Sequence, residues 1–125
     1  MSAGTRKLIL VVDDTETVLI FTKMMLAGQA AEVVVARNGR EALKRVEEQA
    51  PDLILMDIMM PEMDGVETCR RLKADPRTGG IPVVMVTTKG NPEKVEEAFA
   101  AGCDDYLTKP FGKLDLMAKI RRYMH

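Results

Sequence analysis

The stretch Leu53–Gly65 reads LILMDIMMPEMDG and determines how the rest of the chain is interpreted. It opens with an uninterrupted apolar run, Leu53–Met56, which is typical of a strand buried on both faces. The carboxylate of Asp57 follows directly, and the loop that continues to Asp64 contains Pro61. The stretch therefore predicts a buried strand that ends at a carboxylate and leads into a loop.

Comparable apolar runs recur on both sides of this stretch. They predict further short strands at 8–12, 33–35, 83–86 and 106–107. Helical patterns separate the runs, and parallel strands need crossover connections of this kind. The pattern predicts a three-layer α/β/α doubly wound fold with five parallel strands. It leaves the order of the strands open.

Apolar residues at helical spacing predict which side of each helix is buried. These residues are, from the first helix to the fifth: Ile20, Phe21, Met24 and Met25, with Thr17 beside them; Ala42, Leu43 and Val46; Val66, Cys69 and Leu72; Val95, Ala98 and Phe99; and Leu116, Ile120 and Tyr123, with Met117 and Met124. The fourth helix is predicted to begin at Asn91-Pro92, with Asn91 as its cap, and to end at Gly102.

The composition restricts the broad class of protein to which the chain can belong. The chain has 125 residues, a net charge of -1 and a pI near 5.9, which does not favour nucleic acid or an anionic membrane as a partner. Cys69 and Cys103 lie in apolar patterns and are expected to be free thiols in a reducing compartment. The apolar runs are too short to cross a membrane, so a cytoplasmic location is expected. Residues 1–125 are predicted to form one domain with a core at about 7–124.

Polar residues follow the predicted strands at the point where each ends. Asp13 and Asp14 follow the first strand, Asp57 the third, Thr87 and Thr88 the fourth, and Lys109 the fifth. Ligands of doubly wound sheets bind at this edge. Clustered carboxylates require protonation or a cation, and carboxylate oxygens suit Mg²⁺. A carboxylate nucleophile, a metal, an ammonium and a hydroxyl are the parts that phosphoryl transfer needs.

The same edge argues against a nucleotide or flavin site. Phosphate-binding turns after a first strand are rich in glycine, whereas Asp13–Glu16 is anionic. The sequence also contains neither a G-x-G-x-x-G motif nor a Walker A motif.

Four spaced motifs carry a resemblance to a known family. They are Val11–Asp14, Leu55–Gly65, Val86–Thr87 and Asp105–Phe111, in this order and each at a predicted strand end. Together they resemble the receiver domains of two-component response regulators, the CheY-like proteins. The resemblance covers nearly the whole chain, and it implies the flavodoxin-like strand order 2-1-3-4-5.

The resemblance also implies a metal and a phosphorylation site. Asp57 matches the phospho-accepting aspartate. Asp13 matches a direct Mg²⁺ ligand, Asp14 a ligand acting largely through water, and the backbone carbonyl of Met59 a further ligand. Met59, Thr88 and Lys89 flank the site and are expected to influence how long the phosphoryl group persists.

The remaining implied roles concern the switch. Lys109 matches the lysine that pairs with the phosphoryl group, and its bond to Pro110 matches a cis position. Thr87 matches a hydroxyl that moves toward the phosphoryl group, and Tyr106 an aromatic residue that then turns inward. The implied partner is a histidine kinase or phosphotransferase, for which Val18 and Leu19 are candidate docking residues.

The predicted function is therefore a phosphorylation-activated switch whose partner surface comprises the fourth helix, fifth strand and fifth helix. Such a domain catalyses only its own phosphorylation and dephosphorylation. It signals to an unknown downstream protein target, and it can form a phosphorylation-dependent homodimer with a second copy of itself. The alternatives are a Mg²⁺ phosphatase of the haloacid dehalogenase type, a pseudo-receiver, and a receiver cut from a longer regulator with an effector domain.

Overall fold

Strands and helices alternate throughout the computed structural model, which describes residues 7–29, 31–88 and 91–124. The strands are β1 (Lys7–Val12), β2 (Ala31–Ala36), β3 (Leu53–Asp57), β4 (Val83–Thr88) and β5 (Asp105–Lys109). The helices are α1 (Glu16–Leu26), α2 (Gly39–Glu48), α3 (Gly65–Ala74), α4 (Pro92–Ala100) and α5 (Lys113–Tyr123). Lys89 lies outside the described residues.

The five strands form one parallel sheet in the order β2-β1-β3-β4-β5, which confirms the predicted fold and strand order. The register aligns the carboxyl ends of the central strands. Val12 pairs with Met56, Asp57 pairs with Val86, and Thr88 pairs with Lys109. The residues that follow these pairs therefore meet at one edge of the sheet.

Alternate residues of each strand point to opposite faces and form two separate apolar cores. One core joins Leu10, Ile54 and Met85 to the buried sides of α2, α3 and α4. The other joins Ile9, Leu55 and Val84 to α1 and α5. This arrangement confirms the three-layer architecture, with three helices on one face of the sheet and two on the other.

The predicted buried side of α1 is wrong at most positions, although Met25 is partly buried and packs against the core. Ile20, Phe21 and Met24 are 52%, 56% and 64% exposed, whereas Leu19 and Leu26 are buried. Apolar residues occupy 18–21 and 24–26, so several rotations of the helix fit the spacing equally well. A threonine also lies on the buried side: the Thr22 hydroxyl donates to the Val18 carbonyl at 2.8 Å, which satisfies it away from water.

Two details of α4 also differ from the prediction. Phe99 is 43% exposed, so Ala98 is the buried residue of this helix. Its ring instead packs edge-on against Tyr106, with the ring centroids 6.2 Å apart. Asn91 makes no side-chain cap hydrogen bond, although Pro92 does begin the helix. Gly102 follows the helix with a φ of 104°, a conformation that favours glycine.

Both cysteines are buried free thiols, as predicted. Burial raises the pKa of Cys69 to about 11 and that of Cys103 to about 12. Both groups are therefore neutral thiols at physiological pH. None of the helices built from the described residues combines the length and apolarity needed to cross a bilayer.

Candidate functional site

The acidic side chains predicted at the strand ends come together at one edge of the sheet. Carboxylate oxygens of Asp13, Asp14 and Asp57 all lie within 4.8 Å of one another. Asp13 and Asp57 are buried, whereas Asp14 is exposed. This group has the donor chemistry and spacing to hold a hard divalent cation such as Mg²⁺, because such ions prefer oxygen ligands.

Backbone contacts on both sides hold Asp13 in place. Its amide donates to the Ala36 carbonyl at 3.1 Å, which ties the end of β1 to β2. Its Oδ1 accepts a hydrogen bond from the Thr15 amide at 2.8 Å, just before α1 begins. The carboxylate is thus fixed between the end of a strand and the start of a helix.

The electrostatics of Asp57 follow from its burial. Desolvation and the nearby negative charge of Asp13 raise the pKa of Asp57 to about 6, although Lys109 opposes the shift. Asp57 is therefore mostly ionised at neutral pH, although burial destabilises its ionised form. A cation at this edge would stabilise that form.

Lys109 provides a positive charge at the same edge. Its Nζ lies 2.8 Å from Asp13 Oδ2 and 3.4 Å from Asp57 Oδ1. Burial alone would lower the pKa of Lys109, but the hydrogen bond to Asp13 and the charge of Asp57 outweigh it, so this pKa is raised. Lys109 ends β5, and its peptide bond to Pro110 is cis, as the resemblance implied.

Thr87 and Tyr106 lie on the neighbouring strands β4 and β5. Thr87 is buried, and its hydroxyl donates to the Thr88 carbonyl at 3.3 Å. Tyr106 is 42% exposed and points away from the core. Thr88 is exposed at the end of β4.

The loop after Asp57 is held by close packing at Gly65. The Gly65 amide donates to the Ile58 carbonyl at 2.8 Å. A Cβ atom at this position would overlap the Asp57 carbonyl oxygen and approach the Met85 methyl group within 2.8 Å. Asp64 then caps α3 by accepting from the Glu67 amide at 2.9 Å. Met59 remains 56% exposed on this loop.

Leu19, one of the two predicted docking residues, is 2% exposed and belongs to the core beneath α1, so that prediction is wrong. Val18 is half-buried and borders a groove of about 500 Å³ beside the acidic edge. The other residues lining the groove are Phe21, Thr22, Met25, Thr88, Lys109, Pro110 and Phe111. The sequence could not identify Phe21 as a groove residue, because its spacing predicted burial.

The sequence patterns also did not predict an ion pair near Asp13. Arg37 Nη2 donates to both carboxylate oxygens of Glu16, at 2.9 and 3.0 Å. The two residues are 21 positions apart, Glu16 at the start of α1 and Arg37 just after β2, so no local pattern signals that they meet.

The family model described as the response regulator receiver domain matches residues 9–121. The chain is 40% identical over 116 residues to the DNA-binding response regulator MtrA of Mycobacterium tuberculosis strain H37Rv. That match covers 93% of this chain and 50% of MtrA. This chain thus spans about half the length of that relative.

Solved structures give the same result. The chemotaxis response regulator CheY4 of Vibrio cholerae is 32% identical, with a TM-score of 0.89 over 96% of this chain and 100% of CheY4. The receiver domain of the Pseudomonas aeruginosa sensor histidine kinase PA1611 is 29% identical, with a TM-score of 0.86 over 94% of this chain and 96% of that one. Its structure has a magnesium ion coordinated in the active-site cleft.

These similarities cover the sheet, the helices and the acidic edge together. The chain belongs to the response regulator receiver domains of two-component systems, a family whose members act as phosphorylation switches.

Proposed function

We propose that this domain accepts a phosphoryl group on Asp57 from the phosphohistidine of a kinase or phosphotransferase. The observation that carries the proposal is the meeting of Asp57, Asp13 and Lys109 at one edge of the sheet. A carboxylate nucleophile beside an ammonium and a set of oxygen ligands has the parts that phosphoryl transfer requires.

In the proposed step, a carboxylate oxygen of Asp57 attacks phosphorus in line with the phosphorus–nitrogen bond of the donor. The new oxygen–phosphorus bond forms as that bond breaks, and its electron pair stays on the imidazole nitrogen. The histidine leaves as a neutral ring, because its other nitrogen carries a proton. With its pKa of about 6, Asp57 is ionised and nucleophilic at neutral pH.

The acidic residues are proposed to hold Mg²⁺. Asp13, Asp57 and the Met59 carbonyl would be its protein ligands, with Asp14 contributing largely through water. The bound ion would neutralise negative charge that builds up on the transferring phosphoryl group. Lys109 lies within reach of both buried carboxylates and would donate to a phosphoryl oxygen.

Phosphorylation is proposed to alter the surface formed by α4, β5 and α5. The Thr87 hydroxyl now donates only a long hydrogen bond, to the Thr88 carbonyl at 3.3 Å, so a phosphoryl oxygen would compete well for it. Tyr106, which is now outward-facing, would turn into the space that Thr87 leaves. The affinity for a partner changes only to the extent that the phosphorylated and unphosphorylated conformations bind that partner differently.

The kinase or phosphotransferase is proposed to dock on α1 beside the groove that Val18, Phe21 and Met25 line. This groove is almost entirely apolar and reaches Lys109, so a helix seated on it would bring its histidine near Asp57. Ile20 and Met24 extend the apolar surface along α1. Exposed apolar surface of this kind is typical of an interaction site.

Three further properties belong to the same proposal. The domain turns over no separate substrate and only loses its own phosphoryl group by hydrolysis. It works in the cytoplasm, where kinase domains of two-component systems meet their receivers. It signals to a downstream protein target, and it can form a homodimer that depends on phosphorylation.

The direct test is to incubate the protein with acetyl phosphate and Mg²⁺ and to measure its intact mass. We expect addition of one phosphoryl group to the wild type and none to Asp57→Asn. The matched control is Asp64→Asn, an acidic residue of the same loop that caps α3 and should leave labelling intact. Labelling of Asp57→Asn at the wild-type level would contradict the proposal.

A further inference from the structure

The ion pair between Glu16 and Arg37 lies at the same sheet edge as the phosphorylation site. Arg37 uses one nitrogen to contact both oxygens of Glu16, at 2.9 and 3.0 Å. Both side chains are about half exposed, and an exposed pair of this kind contributes little to stability. Its location suggests an electrostatic role instead.

Both partners are one residue away from groups that hydrogen-bond to Asp13. Arg37 follows Ala36, whose carbonyl accepts from the Asp13 amide at 3.1 Å. Glu16 follows Thr15, whose amide donates to Asp13 Oδ1 at 2.8 Å. The pair therefore spans the gap between the start of α1 and the end of β2 immediately beside a proposed metal ligand.

The charges explain why the pair matters there. Among the described residues, Asp13, Asp14, Asp57 and Glu16 are four carboxylates at this edge, and Lys109 and Arg37 are the two cations paired with them. A bound divalent cation would bring this set to neutrality. Without Arg37, the charge of Glu16 would be uncompensated and this set of residues would stay negative even with the metal bound.

We propose that Arg37 is a positioning residue that neutralises Glu16 and thereby sets the potential met by two ligands of opposite charge. These ligands are the divalent cation and the anionic phosphoryl donor. The proposal rests on the proposed function for its donor half, whereas its metal half depends only on the acidic cluster. A negative edge attracts the cation and repels the donor, so the effects on the two ligands have opposite signs.

The test compares Arg37→Gln, Glu16→Gln, the double variant and Arg37→Lys. Mg²⁺ affinity is measured by calorimetric titration, and the second-order rate of phosphorylation by acetyl phosphate is measured by intact mass at saturating Mg²⁺. For Arg37→Gln at low ionic strength we expect Mg²⁺ to bind roughly two- to four-fold more tightly and acetyl phosphate to react roughly two- to four-fold more slowly.

Glu16→Gln should shift both quantities in the reverse direction, and the double variant should return both close to wild type. Arg37→Lys loses the planar fork of the guanidinium but keeps the positive charge. Because the proposed role depends on charge alone, this variant should also behave like wild type. All the shifts should shrink at high salt, because these groups are exposed to solvent. Phosphoramidate carries less negative charge than acetyl phosphate near neutral pH, so its rate should change less.

A loss of fold would weaken both readouts together, which is the reverse of the expected signature. The proposal is overturned if the two readouts move in the same direction, if neither moves, if the shifts persist at high salt, or if Arg37→Lys behaves like Arg37→Gln. Failure of the wild type to take up phosphate would instead contradict the proposed function, and the Mg²⁺ titration would still decide the role of Arg37.

Discussion

Lys109 and Asp13 form a hydrogen-bonded ion pair of 2.8 Å between residues 96 positions apart. Asp13 is almost completely buried, and Lys109 is about one-fifth exposed. The ammonium also lies 3.4 Å from Asp57 Oδ1, so one side chain at the end of the last strand compensates the carboxylate that follows the first strand and the one that ends the third. The pair thereby links the stability of the fold to the chemistry of its carboxyl edge.

Replacing Lys109 with Ala should destabilise the metal-free protein. Two buried carboxylates would then face each other without a cation, and we expect a loss of about 1–3 kcal/mol in the free energy of unfolding. Added Mg²⁺ should recover much of that loss, because it replaces the missing charge. Urea unfolding with and without Mg²⁺ measures both effects, with Lys113→Ala, at an exposed position of α5, as the control. Equal stabilities of Lys109→Ala and Lys113→Ala would contradict this prediction.

The raised pKa of Asp57 predicts a specific pH dependence. The folded-state pKa of about 6 lies above the usual value of 3.8, so ionising Asp57 weakens the fold, and the weakening develops as pH rises from about 4 through 6. In the absence of Mg²⁺, Asp57→Asn should therefore be more stable than wild type at pH 7 by about 1–2 kcal/mol, allowing for solvent screening at the sheet edge. That advantage should disappear below pH 4. A difference in unfolding free energy that does not vary with pH would contradict it.

Gly65→Ala should disturb both the fold and the site. The added methyl group would overlap the Asp57 carbonyl oxygen, so either β3 or the loop must shift. We expect a cost of roughly 2 kcal/mol or more, together with slower phosphorylation by acetyl phosphate. Gly80→Ala is the matched control, since a methyl group there has no atom within 4 Å. If the two variants unfold at the same denaturant concentration, the packing at Gly65 does not constrain Asp57.

Two neighbouring residues of α1 should have separable roles. Leu19→Ala removes a core side chain and should cost about 2–4 kcal/mol in stability. Phe21→Ser changes an exposed groove residue and should alter stability by less than about 0.5 kcal/mol. It should nevertheless slow phosphotransfer from a histidine kinase or phosphotransferase while sparing acetyl phosphate. Equal slowing with both donors would show that Phe21 acts on the site rather than on docking.

The sequence was sufficient for most of the fold because its signals are local. The run Leu53–Met56 and its counterparts identify buried strands, and the helices between them require parallel connections. The order of the strands did not follow from these patterns. It came from the four spaced motifs and is confirmed by the sheet.

The errors arise where burial depends on tertiary contacts. The apolar surface of α1 extends around much of the helix, so its spacing could not distinguish the buried Leu19 from the exposed Phe21. The short α4 leaves Phe99 free to pack against Tyr106 at the surface. The pair of Glu16 and Arg37 joins the start of α1 to the end of β2, and no pattern within either segment predicts it.

The sheet order has a consequence for how the domain assembles. The pairing partners of β5 lie in β4, whereas the buried carboxylates that Lys109 compensates follow β1 and end β3. Contacts between residues so distant in the chain impose a loop-closure cost and form slowly. A nascent chain that has not yet supplied β5 would have its acids in place without their ammonium. Competence to take up phosphate should therefore appear late in folding and serve as a reporter of complete assembly.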